Sequence, residues 1–382
     1  MVEIKRDCRY FKGDVPCKPH KLHAVHCTDC NYYDKTDQDI LIIKLGAIGD
    51  VIRTTPLLRK LKQEFVHAKI WWLTLTPEIL PSEVDMPMGF ILKNIISLEA
   101  MHFSILFNLD KDLEACALAE KIDADKKYGF HLLNNKCNPI NELSYNKYLT
   151  GIFDDLNQAN KKSYPEEIFE MCGYKFNGEK YILNCPTGDH QLRTTNHEIP
   201  NPSPVGDSTF SQFNSEGIKP PFRRPVVGLN TGCGGRWTSR LWKEENWIEL
   251  AKKLISTGYT PLFLGGEQEH EKNSRMAKES NGMYLGHFPL KQFISLVNEC
   301  DLVVTGVTMG MHIAIGLNKK IVLFNNIFNK YELELYGLGE IISPEKKCTC
   351  FFSPQCKNNE YQCMDYIYPE NVFETIKNLL KP

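Results

Sequence analysis

The chain has 382 residues, a formal net charge of −2 and 42% hydrophobic residues. This length is enough for two ordinary α/β domains. The near-neutral charge argues against a dedicated nucleic-acid-binding protein, whose binding domain is usually strongly basic.

Two absences from the sequence bear on where the protein works. No apolar run approaches the length that crosses a bilayer. The amino terminus is charged from Glu3 to Asp7, unlike a secretory signal. We therefore expect a cytoplasmic protein.

Cysteines are unusually many for a cytosolic chain, fourteen in all, and eight of them form two groups. Without a secretory signal, such groups indicate a metal before disulfides. The amino-terminal group comprises Cys8, Cys17, Cys27 and Cys30, and the carboxyl-terminal group comprises Cys348, Cys350, Cys356 and Cys363. We predict a structural metal ion at each group, with zinc favoured. In the carboxyl-terminal group four thiolates would fill every coordination position and leave none open for catalysis.

The segment 1–38 is too polar to form a core by itself, and a metal would give it a reason to fold. Its Cys27-x-x-Cys30 pair is typical of a zinc knuckle. Alternative ligands in this segment are His20, His23 and His26. A flexible tail of free thiols is the alternative interpretation.

The stretch from Ile40 to Phe65 opens the first predicted domain, which we place at 39–185. Ile40 to Leu45 is a short apolar run, typical of a strand buried on both faces. A tight turn containing Gly46 and Gly49 follows, then Asp50 and apolar residues at helical spacing. Ligands of open α/β sheets bind beyond the carboxyl ends of the strands. Asp50 is therefore placed to act as a general base, or simply to cap the helix.

The remainder of this domain alternates between strand and helix patterns. Strands are predicted at 69–75, 104–110 and 127–131, and a helix at 111–122. The stretch 134–165 is polar and interrupted by proline, which predicts a long loop. That loop would either meet a second substrate or lie on the solvated surface.

A segment rich in Pro, Gly, Ser, Thr and Asn, 186–224, is predicted to link the domains. The second domain, 225–345, again alternates strands and helices, which implies a parallel, doubly wound sheet. The last part, 346–382, contains the carboxyl-terminal cysteines and an amphipathic helix at 371–380.

Three stretches of the second domain suit a phosphorylated ligand. In 228–242, Asn230, Thr231, several glycines and two arginines follow a strand, and such groups bind anions. Glu267 follows another strand, where it would accept hydrogen bonds from ribose hydroxyls or form the acidic first turn of a helix. A third strand leads into a helix at Thr308, Met309 and Gly310, whose free backbone amides suit a diphosphate.

The stretch KLGAIGDVIRTTPLLRKLK resembles the opening of glycosyltransferase family 9, the heptosyltransferases that act on lipopolysaccharide and their relatives. The resemblance implies the two-domain GT-B fold, with two Rossmann-like domains facing a cleft, and gives Asp50 the role of catalytic base. NTGCGGRW and the following SRLW resemble the donor diphosphate segment, with Arg240 as the basic residue and Arg236 as a second candidate. GGEQ resembles the ribose-binding motif and supports Glu267. The resemblance also implies that the final helix crosses back onto the first domain.

TGVTMGMHIA resembles the family motif TGDTxxxHIA, and His312 matches its histidine, which is more often packed in the helix than active in proton transfer. Val307 replaces the aspartate that the family is thought to use for the donor sugar. The backbone phosphate site would remain, but one polar contact to the sugar is lost.

The resemblance implies an inverting transferase that moves a heptose or a similar sugar from a nucleotide-diphosphate donor, with ADP-heptose expected. The acceptor would be a hydroxyl of a lipopolysaccharide core or another surface glycan, with at most peripheral contact with the inner membrane. No catalytic metal is expected, and iron is the alternative to zinc because related protein heptosyltransferases have an iron-binding finger. Two other interpretations are a decayed, non-catalytic binding protein and a GT-B nucleotide-sugar epimerase.

Overall fold

The computed structural model describes residues 3–185 and 223–381, so the predicted linker lies outside the described residues except for its last two positions. The chain divides into two compact units. The first contains Met1–Leu183 and Tyr331–Glu334, and the second contains Asn184–Lys330 and Leu335–Pro382. In the described ranges, no helix combines the length and the apolar character needed to span a bilayer.

Six strands form one sheet in the first unit: β1 (Gln38–Ile43), β2 (Ala68–Thr74), β3 (Met86–Gly89), β4 (His102–Asn108), β5 (Asp123–Leu133) and β6 (Lys136–Pro139). Their order is β3-β2-β1-β4-β5-β6. Every pair is parallel except β5 and β6, which are antiparallel. The predicted buried strand is therefore the central β1, and Ile40 to Ile43 are fully buried in it.

The helices of the first unit are α1 (Lys18–His23), α2 (Ile48–Thr54), α3 (Pro56–Glu64), α4 (Leu92–Glu99), α5 (Leu113–Lys121), α6 (Tyr145–Ile152), α7 (Asp154–Ala159) and α8 (Tyr164–Met171). The single helix predicted after the glycine turn is two segments, α2 and α3. Pro56 begins the second segment, at the position where its missing N–H costs nothing.

The prediction of a long loop at 134–165 was wrong, because this stretch holds β6, α6 and α7. These helices are held partly by buried polar groups rather than by an apolar stripe. The fully buried Glu167 carboxylate of α8 accepts hydrogen bonds from Lys147 (2.5 Å), Thr150 (3.1 Å) and Asn160 (3.0 Å). Hydrophobic periodicity does not reveal such a network.

Five strands form the sheet of the second unit: β7 (Val226–Asn230), β8 (Thr260–Leu264), β9 (Leu302–Gly306), β10 (Lys320–Phe324) and β11 (Gly339–Ile342). Their order is β11-β10-β9-β7-β8, and all pairs are parallel. In the part of this unit that the structure describes, the helices are α9 (Glu244–Ser256), α10 (His270–Ser280), α11 (Leu290–Asn298), α12 (Met309–Gly316) and α13 (Pro369–Leu380).

The core of the second unit contains an aromatic cluster on one face of its sheet. Trp242 packs edge-to-face on Trp247 (4.9 Å between ring centroids) and on Phe324 (5.0 Å). The terminal helix α13 buries Val372 and Ile376 in the same core. This packing fixes the strand ends from which the candidate site residues project.

Candidate active site

The first group of candidate residues lies beyond the carboxyl end of β1. The turn after the strand leads into α2, and Asp50 lies in the first turn of that helix. Its carboxylate forms an ion pair with Arg53 at 2.8 Å, and a third of the Asp50 side chain is exposed. Gly46 and Gly49 belong to the turn and to the first residues of α2. Asp50 thus combines a fixed position with access to solvent.

Arg53 connects Asp50 to the helix packed against α2. Its guanidinium lies 3.4 Å from the ring centroid of Tyr164, a buried residue at the start of α8. Burial by itself lowers the pKa of Arg53, but Asp50 and Tyr164 outweigh that effect and raise it. Arg53 is therefore a permanent cation, and its charge favours the ionised form of Asp50.

A second cation, Lys44, lies at the end of β1 and is almost fully buried. Its ammonium lies 3.3 Å from the carboxylate of Asp110, which also accepts the N–H of Leu45 at 2.9 Å. Burial lowers the pKa of Lys44, but Tyr164 and Asp50 oppose it and the net shift is upward. The positive charge of Lys44 thus also favours the ionised form of Asp50.

The second group of candidate residues lies beyond the carboxyl ends of β7 and β9. Asn230 donates hydrogen bonds to the hydroxyls of Thr305 (2.8 Å) and Thr308 (3.1 Å), so it ties the two strand ends together. Gly310 packs against this link, because a Cβ there would lie 2.7 Å from Asn230 Nδ2. Thr308 is the N-cap residue of α12, and Met309 and Gly310 form its first turn. The amides of this turn lack acceptors within the helix.

Arg240 lies beside the start of α12. It donates hydrogen bonds to the carbonyl oxygens of Val307 and of Cys233, the latter at 2.9 Å. Its Nε is buried without an acceptor, and no carboxylate pairs with Arg240 in the described ranges. Burial lowers the pKa of Arg240. A cation without a counter-ion therefore stands next to the positive end of a helix dipole, an arrangement suited to a diphosphate.

The remaining predicted donor residues differ in exposure. Arg236 is exposed and lies over the ring of Trp237, at 5.2 Å from its centroid. The Thr231 hydroxyl is buried and donates to Asn273 Oδ1 at 2.6 Å. Glu267 is exposed at the start of a short 3-10 turn, and His312 is buried in α12.

A carboxylate that the sequence analysis did not single out, Glu269, lies closer to the glycine loop. It accepts the N–H of Gly266 at 3.0 Å, and a Cβ on Gly232 would lie 2.5 Å from its carboxylate. The motif GGEQE contains two glutamates, Glu267 and Glu269. The backbone conformation, which the sequence motif does not reveal, directs Glu269 toward the glycine loop.

The carboxyl-terminal cysteines form a compact group. The Sγ atoms of Cys348, Cys350 and Cys363 all lie within 4.8 Å of one another, and Cys356 Sγ lies 3.8 Å from Cys350 Sγ. N–H groups point at these sulfurs, from Lys357 to Cys350 at 3.1 Å and from Asn358 to Cys363 at 3.1 Å. Four converging thiols with N–H donors around them fit a tetrahedral metal ion.

Comparison with known proteins finds similarity to one family of glycosyltransferases. The model of glycosyltransferase family 9 (heptosyltransferase) matches residues 189–358. Lipopolysaccharide heptosyltransferase 2 of Escherichia coli strain K12 is 24% identical over 315 residues, covering 74% of this chain and 81% of its own length.

The chain is similar to the heptosyltransferases of glycosyltransferase family 9. Solved structures agree on the fold. A family 9 glycosyl transferase from Veillonella parvula has a TM-score of 0.63 at 18% identity, covering 90% of this chain and 97% of its own. The dodecameric iron-containing heptosyltransferase TibC, in complex with ADP-D-beta-D-heptose, has a TM-score of 0.53 at 10% identity and covers 90% and 76%. The predicted GT-B fold class is confirmed.

The structure also adds a candidate residue that sequence reasoning missed, Lys111, which follows β4, the strand next to β1. Lys111 forms no ion pair within the described ranges, and its Nζ occupies the space in which a Cβ on Gly151 would lie. Burial lowers the pKa of Lys111, and the charge of Lys147 lowers it further. The only sequence signal was its position directly after the strand predicted at 104–110.

Proposed function

We propose that this protein is an inverting glycosyltransferase that moves a heptose or a similar sugar from an ADP-linked donor to a hydroxyl of a lipopolysaccharide core or another surface glycan. The observation that carries the proposal is the Arg240 guanidinium, fixed by two carbonyl oxygens at the start of α12 and without a carboxylate partner in the described ranges. A donor diphosphate supplies the missing negative charge.

The reaction needs one displacement at the anomeric carbon. The acceptor oxygen forms a bond to that carbon while the bond to the diphosphate oxygen breaks, and Asp50 takes the acceptor proton. The electron pair of the broken bond leaves with the nucleoside diphosphate, where Arg240 and the first amides of α12 stabilise it. Attack from the face opposite the leaving group inverts the configuration.

Arg53 holds the base in position in this mechanism. Its ion pair with Asp50, at 2.8 Å, fixes the carboxylate at the start of α2, and a third of the Asp50 side chain is exposed to solvent. The nearby charges of Arg53 and Lys44 favour the carboxylate form of Asp50, which is the form that accepts a proton.

ADP is the proposed nucleotide because TibC, which shares the fold, was solved with ADP-D-beta-D-heptose. The acceptor is proposed from the relatives named as lipopolysaccharide heptosyltransferases. Lys111, whose charge is unpaired in the described ranges, favours an acceptor that bears a phosphate or carboxylate. Since nucleotide sugars are made in the cytoplasm, we place the reaction there.

The carboxyl-terminal thiols fit a structural metal ion, with zinc proposed first and iron second, the latter because TibC is described as iron-containing. A thiolate set around one ion leaves no position for substrate, so the metal would stabilise the fold and not act in the transfer.

Calorimetric titration with ADP, UDP and GDP, followed by transfer assays on Asp50→Asn, tests the proposal. We expect selective binding of ADP, and a variant that binds ADP normally but loses transfer. Asp112→Asn is the matched control, because Asp112 also lies at the start of a helix after the neighbouring strand, and it should retain activity. Unchanged turnover in Asp50→Asn would remove Asp50 from the mechanism.

Val307 supports a second candidate, a non-catalytic binding protein derived from a transferase. Its backbone carbonyl serves Arg240, but its side chain offers no hydrogen bond to a sugar. Sugar transfer by the wild-type chain excludes this candidate. An inert wild type, together with a Val307→Asp variant that gains neither donor affinity nor transfer, would support it.

A further inference from the structure

The amino-terminal segment contains a cavity that the proposed transfer reaction does not use. Its volume is about 290 Å³, and all four amino-terminal cysteines line it: Cys8, Cys17, Cys27 and Cys30. The rest of the lining is mainly apolar or aromatic, including Phe11, Val15, Pro16 and Val25. Four thiols around one apolar cavity are the ligand set of an inorganic centre rather than of an organic substrate.

The spacing of these thiols differs from that of the carboxyl-terminal group. A single tetrahedral ion with metal–sulfur bonds of about 2.3 Å requires sulfurs about 3.8 Å apart. The thiols of Cys348, Cys350 and Cys363 approach this spacing, since they lie within 4.8 Å of one another. In the described ranges, no three of the amino-terminal thiol and imidazole groups meet the same limit.

We propose that Cys8, Cys17, Cys27 and Cys30 bind an iron–sulfur cluster. A cluster places its iron atoms, and therefore its cysteine ligands, around a core of several atoms, so it needs wider thiol spacing and a cavity between the thiols. Both are present here. This assignment replaces the zinc ion expected for this segment and does not depend on the proposed transfer function.

Local structure positions each thiol at the cavity. Cys17 directly precedes α1, while Cys27 begins a short 3-10 turn that ends before Cys30. Cys8 is held by a β-bridge to Lys35. His20 also faces the cavity, but its Nδ1 lies 2.9 Å from the carbonyl oxygen of Val25, which accounts for its orientation without a metal.

The segment is fixed to the first sheet on its other side. Arg9 forms ion pairs with Asp34 (2.7 Å) and Asp85 (2.9 Å) and donates to the carbonyl oxygen of Ala68, the first residue of β2, at 2.9 Å. The cluster would therefore act as the core of a polar segment that docks beside β2 and β3. This role is structural and requires no electron transfer.

Anaerobic purification of the full chain, with measurement of iron, zinc and acid-labile sulfide, tests the proposal. We expect iron and sulfide in equal amounts and a broad visible absorption that dithionite bleaches. Cys17→Ser and Cys30→Ser should lose the sulfide, whereas Cys137→Ser, a cysteine outside the cavity, should keep it. His20→Ala should also keep the sulfide, since the ligands are thiols.

The two metal sites must be separated in the same experiment. Cys356→Ser alters the carboxyl-terminal group and should leave the sulfide unchanged. Circular dichroism and thermal unfolding show whether each variant remains folded. Zinc without sulfide in the anaerobic wild type, or sulfide that survives both amino-terminal substitutions in folded protein, would overturn the assignment.

Discussion

Arg240 is a side chain whose charge the described part of the chain leaves unneutralised, and this gives it a measurable signature. Arg240→Gln should weaken ADP binding by about 10- to 100-fold, because a hydrogen bond to a charged group is worth about 1.5–3 kcal/mol. Arg236→Gln is the matched control, since Arg236 is exposed and loses less on substitution. Isothermal titration of both variants distinguishes them, and equal losses would contradict the leading role of Arg240.

The buried charge of Lys111 lowers the stability of the fold by an amount that depends on pH. Its folded pKa is lowered by burial and by Lys147. Between that value and the ordinary pKa of lysine the unfolded chain binds more protons, so the stability of the fold rises with pH. Lys111→Met should therefore raise Tm near pH 7, and its advantage over wild type should shrink toward about pH 10.

Thermal melts at several pH values measure this difference. Lys93→Met, which alters an exposed lysine of α4, should show no such trend. A constant advantage for Lys111→Met at every pH would mean that packing and not charge is responsible.

The pairing of β4 with β5 depends on a glycine. Gly129 has φ +96°, and a Cβ there would lie 1.8 Å from the carbonyl oxygen of Asn108 on β4. Gly129→Ala should destabilise the first unit by about 2–4 kcal/mol, combining strain at positive φ with overpacking. Gly178 has φ +83° and open space around it, so Gly178→Ala should cost only about 1 kcal/mol. Denaturant unfolding followed by circular dichroism compares the two variants. Equal losses in the free energy of unfolding would show that the steric clash at Gly129 is unimportant.

The carboxyl-terminal cysteine segment supports the loop that carries Arg240. Ser239 donates its N–H to the carbonyl oxygen of Pro354 (3.0 Å) and its hydroxyl to that of Ser353 (2.6 Å). Cys363→Ser should therefore lower the metal content and also weaken ADP binding, although Cys363 itself makes no proposed donor contact.

Metal analysis and titration of the same samples test this coupling. Cys300→Ala removes a buried thiol of the second unit outside the cysteine group and should leave both readouts near wild type. Metal loss with unchanged ADP affinity would show that the Arg240 loop keeps its conformation without the bound metal.

At the scale of the whole molecule, the sequence predicted the sheets better than the polar helices. Runs such as Ile40 to Leu45 are apolar because both faces of a central parallel strand are buried, so composition alone reveals them. Helix α6 was missed because its polar groups are satisfied by Glu167 of α8, which accepts hydrogen bonds from Lys147 and Thr150. The motif residues remain predictions, supported by backbone chemistry and by the family resemblance together. The roles of Arg53 and Lys111 depend on long-range neighbours, which no local pattern encodes.

Trp237 can serve as a fluorescent probe within the second unit. Its indole packs on Phe328 and Phe352, and the guanidinium of Arg240 lies 5.5 Å from the ring centroid. The same side chain thus contacts the loop proposed to hold the donor and the segment proposed to hold the metal. Its emission wavelength and intensity should respond to both, so native fluorescence offers a label-free reading of donor and metal occupancy.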